Sequence, residues 1–242
     1  MPPKIFAGKT DNGLKRENNE DVFYLSPEQD FCLAADGMGG AAAGEVASKI
    51  FAETAVEIFS DNTSPSEKEI LYRVQKAYNR ANEKILEHVT EHPDHRGMGC
   101  TAELLAFFNE GFILGHIGDS RTYRFRDGQL EQLTLDHTLV QQQFQEGLIS
   151  FDQVKNHPMR NVIFRAVGVK EELTIDLLSG KIYSKDLFLL CSDGLTDMIQ
   201  DDQIQDTLCA DIDLNHKTLR LIESARAAGG SDNITVVLVA IT

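Results

Sequence analysis

The sequence lacks several features that would assign the chain to a particular class of protein. No apolar run approaches the length of a membrane-spanning helix, and the first residues, Met1-Pro2-Pro3-Lys4, contain no hydrophobic segment of a signal peptide. No block of basic residues is present, and 38 acidic residues against 23 Lys and Arg give a net charge of −15. Because such a chain would repel a phosphate backbone, we expect no nucleic-acid partner, and we expect no membrane association either.

The four cysteines show neither a metal-binding nor a disulfide pattern. Cys32, Cys100, Cys191 and Cys209 are scattered and include no Cys-x-x-Cys pair, which disfavours a zinc site and a disulfide framework. Cys32 and Cys191 lie within apolar runs, as buried reduced thiols of cytosolic proteins do. We therefore expect a soluble, cytoplasmic protein.

What the sequence does contain is a series of strand and helix patterns, with no internal repeat, low-complexity stretch or linker. Strands are predicted at 5–10, 21–26, 31–35, 102–108, 111–117, 122–125, 130–133, 173–178, 187–191 and 233–242. Helices are predicted at 44–60, 66–89, 201–209 and 214–228, with short helical pieces at 139–146 and 151–155. Because the helices come in blocks between runs of strands, we expect one mostly antiparallel α+β domain over residues 1–242.

Three apolar runs of the sequence each lead to an aspartate. Residues 31–35 precede Asp36, residues 111–117 precede Asp119 after one glycine, and residues 187–191 precede Asp193 after one serine. A charge at the end of a buried strand is costly unless another group compensates it, and the glycines near Asp36 let the backbone approach that group. If the three strands converge, their carboxylates can share a metal site.

Further acids and one arginine extend this set. Glu20, Asp21, Asp197 and Asp232 lie at or near strand ends, and Arg16 precedes the first of them. Oxygen ligands favour Mg²⁺ or Mn²⁺ over zinc, and crowded carboxylates would repel one another unless two or more cations were bound. Two such cations can activate water for displacement at phosphorus, and the planar fork of Arg16 suits phosphate oxygens.

Each of these residues also has a purely structural interpretation. Asp-Gly is a common turn, and we interpret Asp127-Gly128 as a hairpin turn and nothing more. An isolated Arg16 would be a solvated surface residue. The joint occurrence of several strand-end acids with this arginine is what favours the metal site.

Five segments, spread in order over nearly the whole chain, together resemble one protein family. They are Asp11-Asn12-Gly13 with Arg16 and Asn19-Glu20-Asp21, Asp36-Gly37-Met38-Gly39-Gly40, Gly118-Asp119-Ser120-Arg121, Cys191-Ser192-Asp193-Gly194-Leu195-Thr196-Asp197, and Ser231-Asp232-Asn233-Ile234-Thr235. The sequence is similar to the metal-dependent type-2C (PPM) Ser/Thr protein phosphatases, specifically their compact bacterial branch. This resemblance implies a four-layer α-β-β-α sandwich of two mostly antiparallel sheets flanked by helices, with the metal centre in the cleft between the sheets.

The resemblance also implies which residues hold the two cations, Mn²⁺ or Mg²⁺. Asp36 would bridge both ions, and the carbonyl of Gly37 would bind one of them. Asp193 and Asp232 would ligate the other ion. In these terms Asp36 and Asp193 are the catalytic carboxylates of the site.

Other matching residues take supporting roles by the same resemblance. Glu20 and Asp21 would hold metal-bound water, and Arg16 would clamp the substrate phosphate as the third catalytic residue. Asp119 would belong to a third, weaker metal site that also includes Asp193, and Asp197 would be a neighbour of that site. The irregular, Gln-rich segment 136–167 would form a flap subdomain beside the active site.

The implied activity is hydrolysis of phosphoserine and phosphothreonine in proteins by a hydroxide that a dinuclear metal centre activates. The implied partners are phosphorylated proteins and the bacterial Ser/Thr kinase that the enzyme opposes. Two positions depart from common family patterns: Met38 replaces a histidine proposed as general acid in many eukaryotic members, and Ala41 replaces a histidine of many bacterial members. The alternative is a non-catalytic phosphoprotein-binding module on the same fold, against which the complete set of expected acids argues.

Overall fold

Two antiparallel sheets form the centre of the computed structural model, which describes residues 2–39, 43–60, 66–150, 153–154 and 157–242. The strands are β1 Lys4–Asp11, β2 Asp21–Ser26, β3 Phe31–Met38, β4 Gly99–Cys100, β5 Ala102–Phe108, β6 Gly111–Ile117, β7 Arg121–Arg126, β8 Gln129–Gln132, β9 Asp176–Lys181, β10 Leu187–Cys191 and β11 Ile234–Ile241. The helices are α1 Ala43–Phe59, α2 Glu67–Glu91, α3 Leu139–Gln145, α4 Asp193–Thr196, α5 Asp201–Cys209 and α6 Leu214–Ala227, and a 3₁₀ turn spans Pro93–His95.

The order of strands brings distant parts of the chain together. One sheet has the order β1-β11-β10-β7-β8, and the other has the order β2-β3-β5-β6-β9 with β4 paired to β3. Strand β11 lies between β1 and β10, so the last strand of the chain pairs with the first. The segments that follow β10 and precede β11 therefore lie at one end of the first sheet, close to the start of β2.

Three hydrophobic cores separate four layers. Between the two sheets, Phe188 packs edge-on against Phe107 and Phe112, with ring centroids 5.8 and 5.1 Å apart. Helices α1 and α2 cover the outer face of the second sheet through residues such as Phe51 and Tyr78. Helices α5 and α6 cover the outer face of the first sheet. The predicted α-β-β-α sandwich of mostly antiparallel sheets is confirmed.

Most predicted elements are present with small differences at their ends. Ser66 begins α2, and its hydroxyl accepts a hydrogen bond from the Glu69 N–H at 3.3 Å, as the Ser-x-x-Glu pattern predicts. The strand predicted at 173–178 is wrong in position, because the strand that pairs with β6 is Asp176–Lys181. Much of the helical piece predicted at 151–155 lies outside the described residues. Among the helices that the structure describes, none combines the length and apolar character needed to cross a membrane.

Candidate active site

The hairpin of β2 and β3 places two of the predicted acids side by side. Asp21 and Asp36 are direct partners in the strand register, and the Gly37 N–H donates to the Glu20 carbonyl at 3.1 Å. A Cβ added to Gly37 would lie 2.1 Å from the carbonyl oxygen of Gly44. Since only glycine fits there, the first turn of α1 can pack directly against the end of β3.

The first sheet supplies the opposite side of the site. The Ser192 hydroxyl, just after β10, donates to Asp21 Oδ2 at 2.7 Å and accepts from the Thr235 N–H at 3.0 Å. A Cβ on Gly194 would lie 1.8 Å from the Asn233 carbonyl oxygen, so α4 begins in tight contact with the segment before β11. These contacts join the strand ends of the two sheets and bring Asp193 to the same region as Asp21.

Asn233 fixes the loop that carries Arg16. Its side-chain oxygen accepts from the Glu20 N–H at 2.8 Å, and its side-chain nitrogen donates to the Asn12 and Asn18 carbonyls at 3.2 and 2.9 Å. One buried amide therefore satisfies backbone groups at both ends of this loop.

Arg16 itself lies at the rim of the site. Its guanidinium Nη2 donates to Asp232 Oδ2 at 2.7 Å, and its side chain is 51% exposed. The hydrogen bond to Asp232 raises the pKa of Arg16, and the charges of Glu20 and Asp36 add to this effect. The site therefore has a permanently charged guanidinium beside its acids, with about half of the side chain open to solvent.

Thr101 connects Asp36 with Asp119. Its hydroxyl accepts from the Asp36 N–H at 3.2 Å and lies 2.7 Å from the Ser120 hydroxyl, while its own N–H donates to the Asp36 carbonyl at 2.9 Å. Asp119 is 8% exposed. Thr101 thus holds both the backbone of Asp36 and the side chain of Ser120, the residue next to Asp119.

The acids of the site raise one another's pKa. Burial, reinforced by the charges of neighbouring aspartates, raises the pKa values of Asp36 and Asp193 well above their ordinary value. Burial raises the pKa of Asp21 to about 6 and that of Asp119 to about 7. Within the described part of the chain, the buried Oδ1 atoms of Asp21 and Asp193 have no hydrogen-bond partner. A bound cation would relieve both the repulsion and the unpaired oxygens, so this donor set fits hard divalent ions.

The carboxylates alone do not form a complete coordination shell. Among the described residues, no group of three or more His, Cys, Asp or Glu side chains is placed to hold a metal ion. Any cation here would need further ligands from water and from backbone carbonyls such as that of Gly37. Mg²⁺ in particular keeps several waters and uses few protein carboxylates, which agrees with this arrangement.

A cavity of about 890 Å³ opens beside Asp119 and Asp193. Arg160, from the 136–167 segment, contributes to its wall and forms an ion pair with Asp197 at 3.5 Å between Nη2 and Oδ2. The bidentate pair of Arg121 with Asp136 lines another part of the wall. The cavity thus combines three of the acids named from the sequence, Asp119, Asp193 and Asp197, with residues of the 136–167 segment.

The family model described as "Protein phosphatase 2C" matches residues 14–229 of this chain. The chain belongs to the protein phosphatase 2C family. The serine/threonine phosphatase stp of Listeria welshimeri is 35% identical to this phosphatase 2C chain. The matched region covers 96% of this chain and 93% of the Listeria protein. The serine/threonine protein phosphatase PstP of Mycobacterium tuberculosis is 38% identical over 96% of this chain, which spans 44% of that longer protein.

Solved structures agree with this phosphatase 2C assignment. The crystal structure of Mycobacterium tuberculosis PstP/Ppp has a TM-score of 0.92 at 38% identity, covering 98% of each chain. A structure of the PstP catalytic domain in complex with two manganese ions has a TM-score of 0.89 at 36% identity, covering 98% of this chain and 97% of that one. A structural relative of this chain therefore holds two manganese ions, the number of cations expected from the sequence.

The phosphatase 2C fold brings the predicted site residues to one region, while their individual ligand roles stay predictions. Arg16 contacts Asp232, and Asp36 is held near Asp21 and near the Asp119 turn. Ala41 and Gly40 lie outside the described residues. Sequence reasoning assigned no role to four supporting residues that the structure adds to the site: Thr101, Ser192, Asn233 and Arg160. Ser192 and Asn233 lie within quoted motifs, but nothing local shows that their side chains cross from one strand end to another.

Proposed function

We propose that this chain hydrolyses phosphoserine and phosphothreonine in proteins with the help of two divalent cations, Mn²⁺ or Mg²⁺, and a third, weaker one. The carrying observation is the set of buried aspartates from both sheets, beside the exposed Arg16, whose pKa values are raised by burial and by one another's charges. Relatives named as serine/threonine phosphatases and a relative with two manganese ions support this proposal. The proposed substrates are phosphoproteins, made by a Ser/Thr kinase that this enzyme opposes.

The cations would be held by both sheets. Asp36 and the Gly37 carbonyl would serve from β3, and Asp193 and Asp232 from the other sheet, with water completing each shell. When bound, the cation pair supplies an activated water and neutralises charge on the phosphoryl group in an in-line displacement. Asp21 is held by the Ser192 hydroxyl, and its other oxygen has no hydrogen-bond partner among the described residues, which suits it to orient a water molecule.

Glu20 and Asp119 complete the proposed set. Burial raises the pKa of Glu20, and its backbone is fixed between Asn233 and Gly37, so its carboxyl can accept or share a proton near the cations. Asp119 would belong to the third site, since its charge acts on Asp36 and Asp193 from the cavity side.

Arg16 would bind and orient the phosphate. Its pairing with Asp232 leaves the rest of the guanidinium exposed, so it can donate further hydrogen bonds to phosphate oxygens. Met38 cannot protonate the departing serine or threonine oxygen, because a thioether has no dissociable proton. Another proton donor must serve the leaving group.

We further propose that residues 136–167 act as a flap over the cavity. This segment supplies Val140, Phe144 and Arg160 to a wall whose other side contains Asp119 and Asp193. A volume of about 890 Å³ accommodates several residues of a substrate around the phosphorylated side chain.

The test is hydrolysis of p-nitrophenyl phosphate and of a phosphothreonine peptide with Mn²⁺, with Mg²⁺ and with excess chelator. We expect turnover that chelator abolishes and that Asp193→Asn lowers by at least about a hundredfold. Asp127→Asn is the matched control, because Asp127 lies in a β7–β8 turn at a φ of 51° that asparagine tolerates, and it should retain wild-type rates. If the folded wild-type protein shows no turnover with any divalent cation, the binding-module alternative replaces this proposal.

A further inference from the structure

A buried imidazole lies where the 136–167 segment begins. His137 is 4% exposed and is packed against His116, whose ring centroid is 4.5 Å away. Neither histidine belongs to the proposed metal set. The contacts of His137 nevertheless lead directly to the Asp119 turn.

His137 holds Gly118 with two reciprocal hydrogen bonds. The His137 N–H donates to the Gly118 carbonyl at 2.7 Å, and the Gly118 N–H donates to His137 Nδ1 at 3.1 Å. Gly118 has a φ of 109°, and a Cβ there would lie 2.5 Å from Thr101 Cβ. Gly118, the residue before Asp119, therefore lies between His137 on one side and Thr101 on the other.

The opposite edge of the His137 ring contacts the far end of the same segment. Its Nε2 lies 3.3 Å from Asp176 Oδ2 and 3.1 Å from Arg165 Nη1, and Arg165 donates to Asp176 Oδ1 at 2.9 Å. The Phe164 N–H donates to the His137 carbonyl at 3.0 Å. His137 therefore joins both ends of the 136–167 segment to the turn that carries Asp119.

The hydrogen bonds also define the protonation of this ring. Because Nδ1 accepts from Gly118, a neutral His137 carries its proton on Nε2, directed to Asp176. The groups that face the ring are His116, Arg165 and Asp176, and burial together with the charge of His116 lowers the pKa of His137 to about 4. Burial acts to lower the pKa of His116 too, but its pairing with buried Glu103 raises it to about 9. Near pH 7 these shifts favour a charged His116 beside a neutral His137.

We propose that His137 is a positioning residue for Asp119, which it places through the Nδ1 hydrogen bond to Gly118 while anchoring the base of the 136–167 segment to Asp176. This role rests on the proposed function, in which Asp119 serves a divalent-cation site. The imidazole is suited to this role because its two nitrogens lie on opposite edges of one rigid ring. A shift at the base of the 136–167 segment would therefore also move the turn that carries Gly118 and Asp119.

Two isosteric substitutions separate the two edges of the ring. In His137→Asn the side-chain oxygen can take the place of Nδ1 and accept from Gly118. In His137→Gln the side-chain amide nitrogen takes the place of Nε2 and can donate to Asp176, which leaves Gly118 without its acceptor. Both variants are polar and similar in size, which makes each a control for the other. Near-UV circular dichroism checks that both are folded.

The first readout is amide hydrogen exchange of Gly118 in the metal-free protein, followed by NMR. We expect exchange in His137→Asn to match the wild type and exchange in His137→Gln to be faster. The second readout is Mn²⁺ titration by electron paramagnetic resonance, calibrated by Asp119→Asn. The Gln variant should bind its weakest Mn²⁺ about tenfold less tightly, in the direction of the calibrating variant, and the Asn variant should bind as the wild type does.

Equal behaviour of the Asn and Gln variants in both readouts, whether both match the wild type or both are impaired, would overturn the positioning role. Neither readout uses catalysis. A wild-type protein without phosphatase activity would therefore count against the proposed function, while the comparison of the two variants would still decide the role of His137.

Discussion

At the scale of single residues, Asp21 and Asp36 are held by neutral groups of the protein. Ser192 donates to Asp21, and Thr101 accepts from the Asp36 backbone. The Asp193 Oδ1 atom is buried without a partner in the described part of the chain. Because neutral donors orient a carboxylate without cancelling its charge, the charge stays available to a bound cation.

Arg16 gives the clearest prediction at this scale. Arg16→Ala should raise the KM for a phosphopeptide about tenfold or more and change kcat little, because a hydrogen bond to a charged group contributes about 1.5–3 kcal/mol to binding. Arg220→Ala is the control, since Arg220 is exposed on α6. Steady-state kinetics with both variants measure the effect. An unchanged KM in Arg16→Ala, or a fall in kcat alone, would remove Arg16 from phosphate binding.

The identities of the site residues could be predicted because each motif is short and local. Asp36, Asp119 and Asp193 each follow an apolar run, and the runs are visible without a structure. What could not be predicted is which neutral side chain reaches which acid. The contact of Ser192 with Asp21 spans 171 positions and depends on how one sheet packs on the other.

At the scale of elements, the junction of β3 with α1 sets the geometry of the site. A Cβ on Gly44 would lie 2.7 Å from the Gly37 carbonyl carbon and 2.9 Å from Glu20 Cδ. The helix therefore approaches the strand end to backbone contact, and it does so next to Asp36. Any side chain at either glycine must push the two elements apart.

Gly44→Ala should test this junction. Although alanine favours helices, the added methyl should displace Gly37 and Glu20. We expect the variant to lose about 1–3 kcal/mol of stability, seen as a lower melting temperature, and to have a lower kcat. Glu53→Ala is the control for alanine substitution in the same helix, because Glu53 is exposed on α1. Thermal unfolding and activity assays on both variants give the comparison. A Gly44→Ala variant with wild-type stability and activity would show that the junction can relax without consequence.

Element boundaries show where sequence reasoning ends. The prediction for β3 was close because its residues are buried on both faces and form an unbroken apolar run. The strand predicted at 173–178 starts too early because β6 ends its pairing with β9 at His116 opposite Asp176. Leu173 and Ile175 instead pack against the α1–α2 core without a strand partner. An apolar alternation shows burial, but a distant partner strand decides which part of it forms a ladder.

At the scale of the whole molecule, the buried site acids lower the stability of the fold when they are ionised, because burial and their mutual repulsion disfavour their charged forms. The pKa of Asp119 rises from its ordinary value of 3.8 to about 7, and that of Asp21 rises to about 6. Between these values the folded protein binds more protons than the unfolded chain, so the free energy of unfolding falls as the pH rises. Above about pH 7 both acids are ionised, and this decrease in the free energy of unfolding is complete unless cations replace the protons.

The melting temperature of the metal-free protein should therefore fall between pH 5 and pH 8, and Mn²⁺ should raise it more at pH 8 than at pH 5. At the lower pH, protons on Asp119 and Asp21 compete with the metal. Differential scanning calorimetry measures how the melting temperature changes with pH, without and with Mn²⁺. Asp119→Asn should weaken this pH dependence in both cases. A metal-free melting temperature that is independent of pH over this range would contradict the proposed coupling of these acids.

The pairing of the first strand with the last has a topological consequence. The Thr242 N–H donates to the Pro3 carbonyl at 2.9 Å, and Lys4 is the register partner of Ile241. A short linker could join residue 242 to the start of the chain and close the backbone into a ring, which could then be opened at the exposed Asp127-Gly128 turn. Such a circular permutant should fold to the same two sheets and retain metal-dependent activity, since the site is built from strand ends whose positions do not depend on where the chain begins.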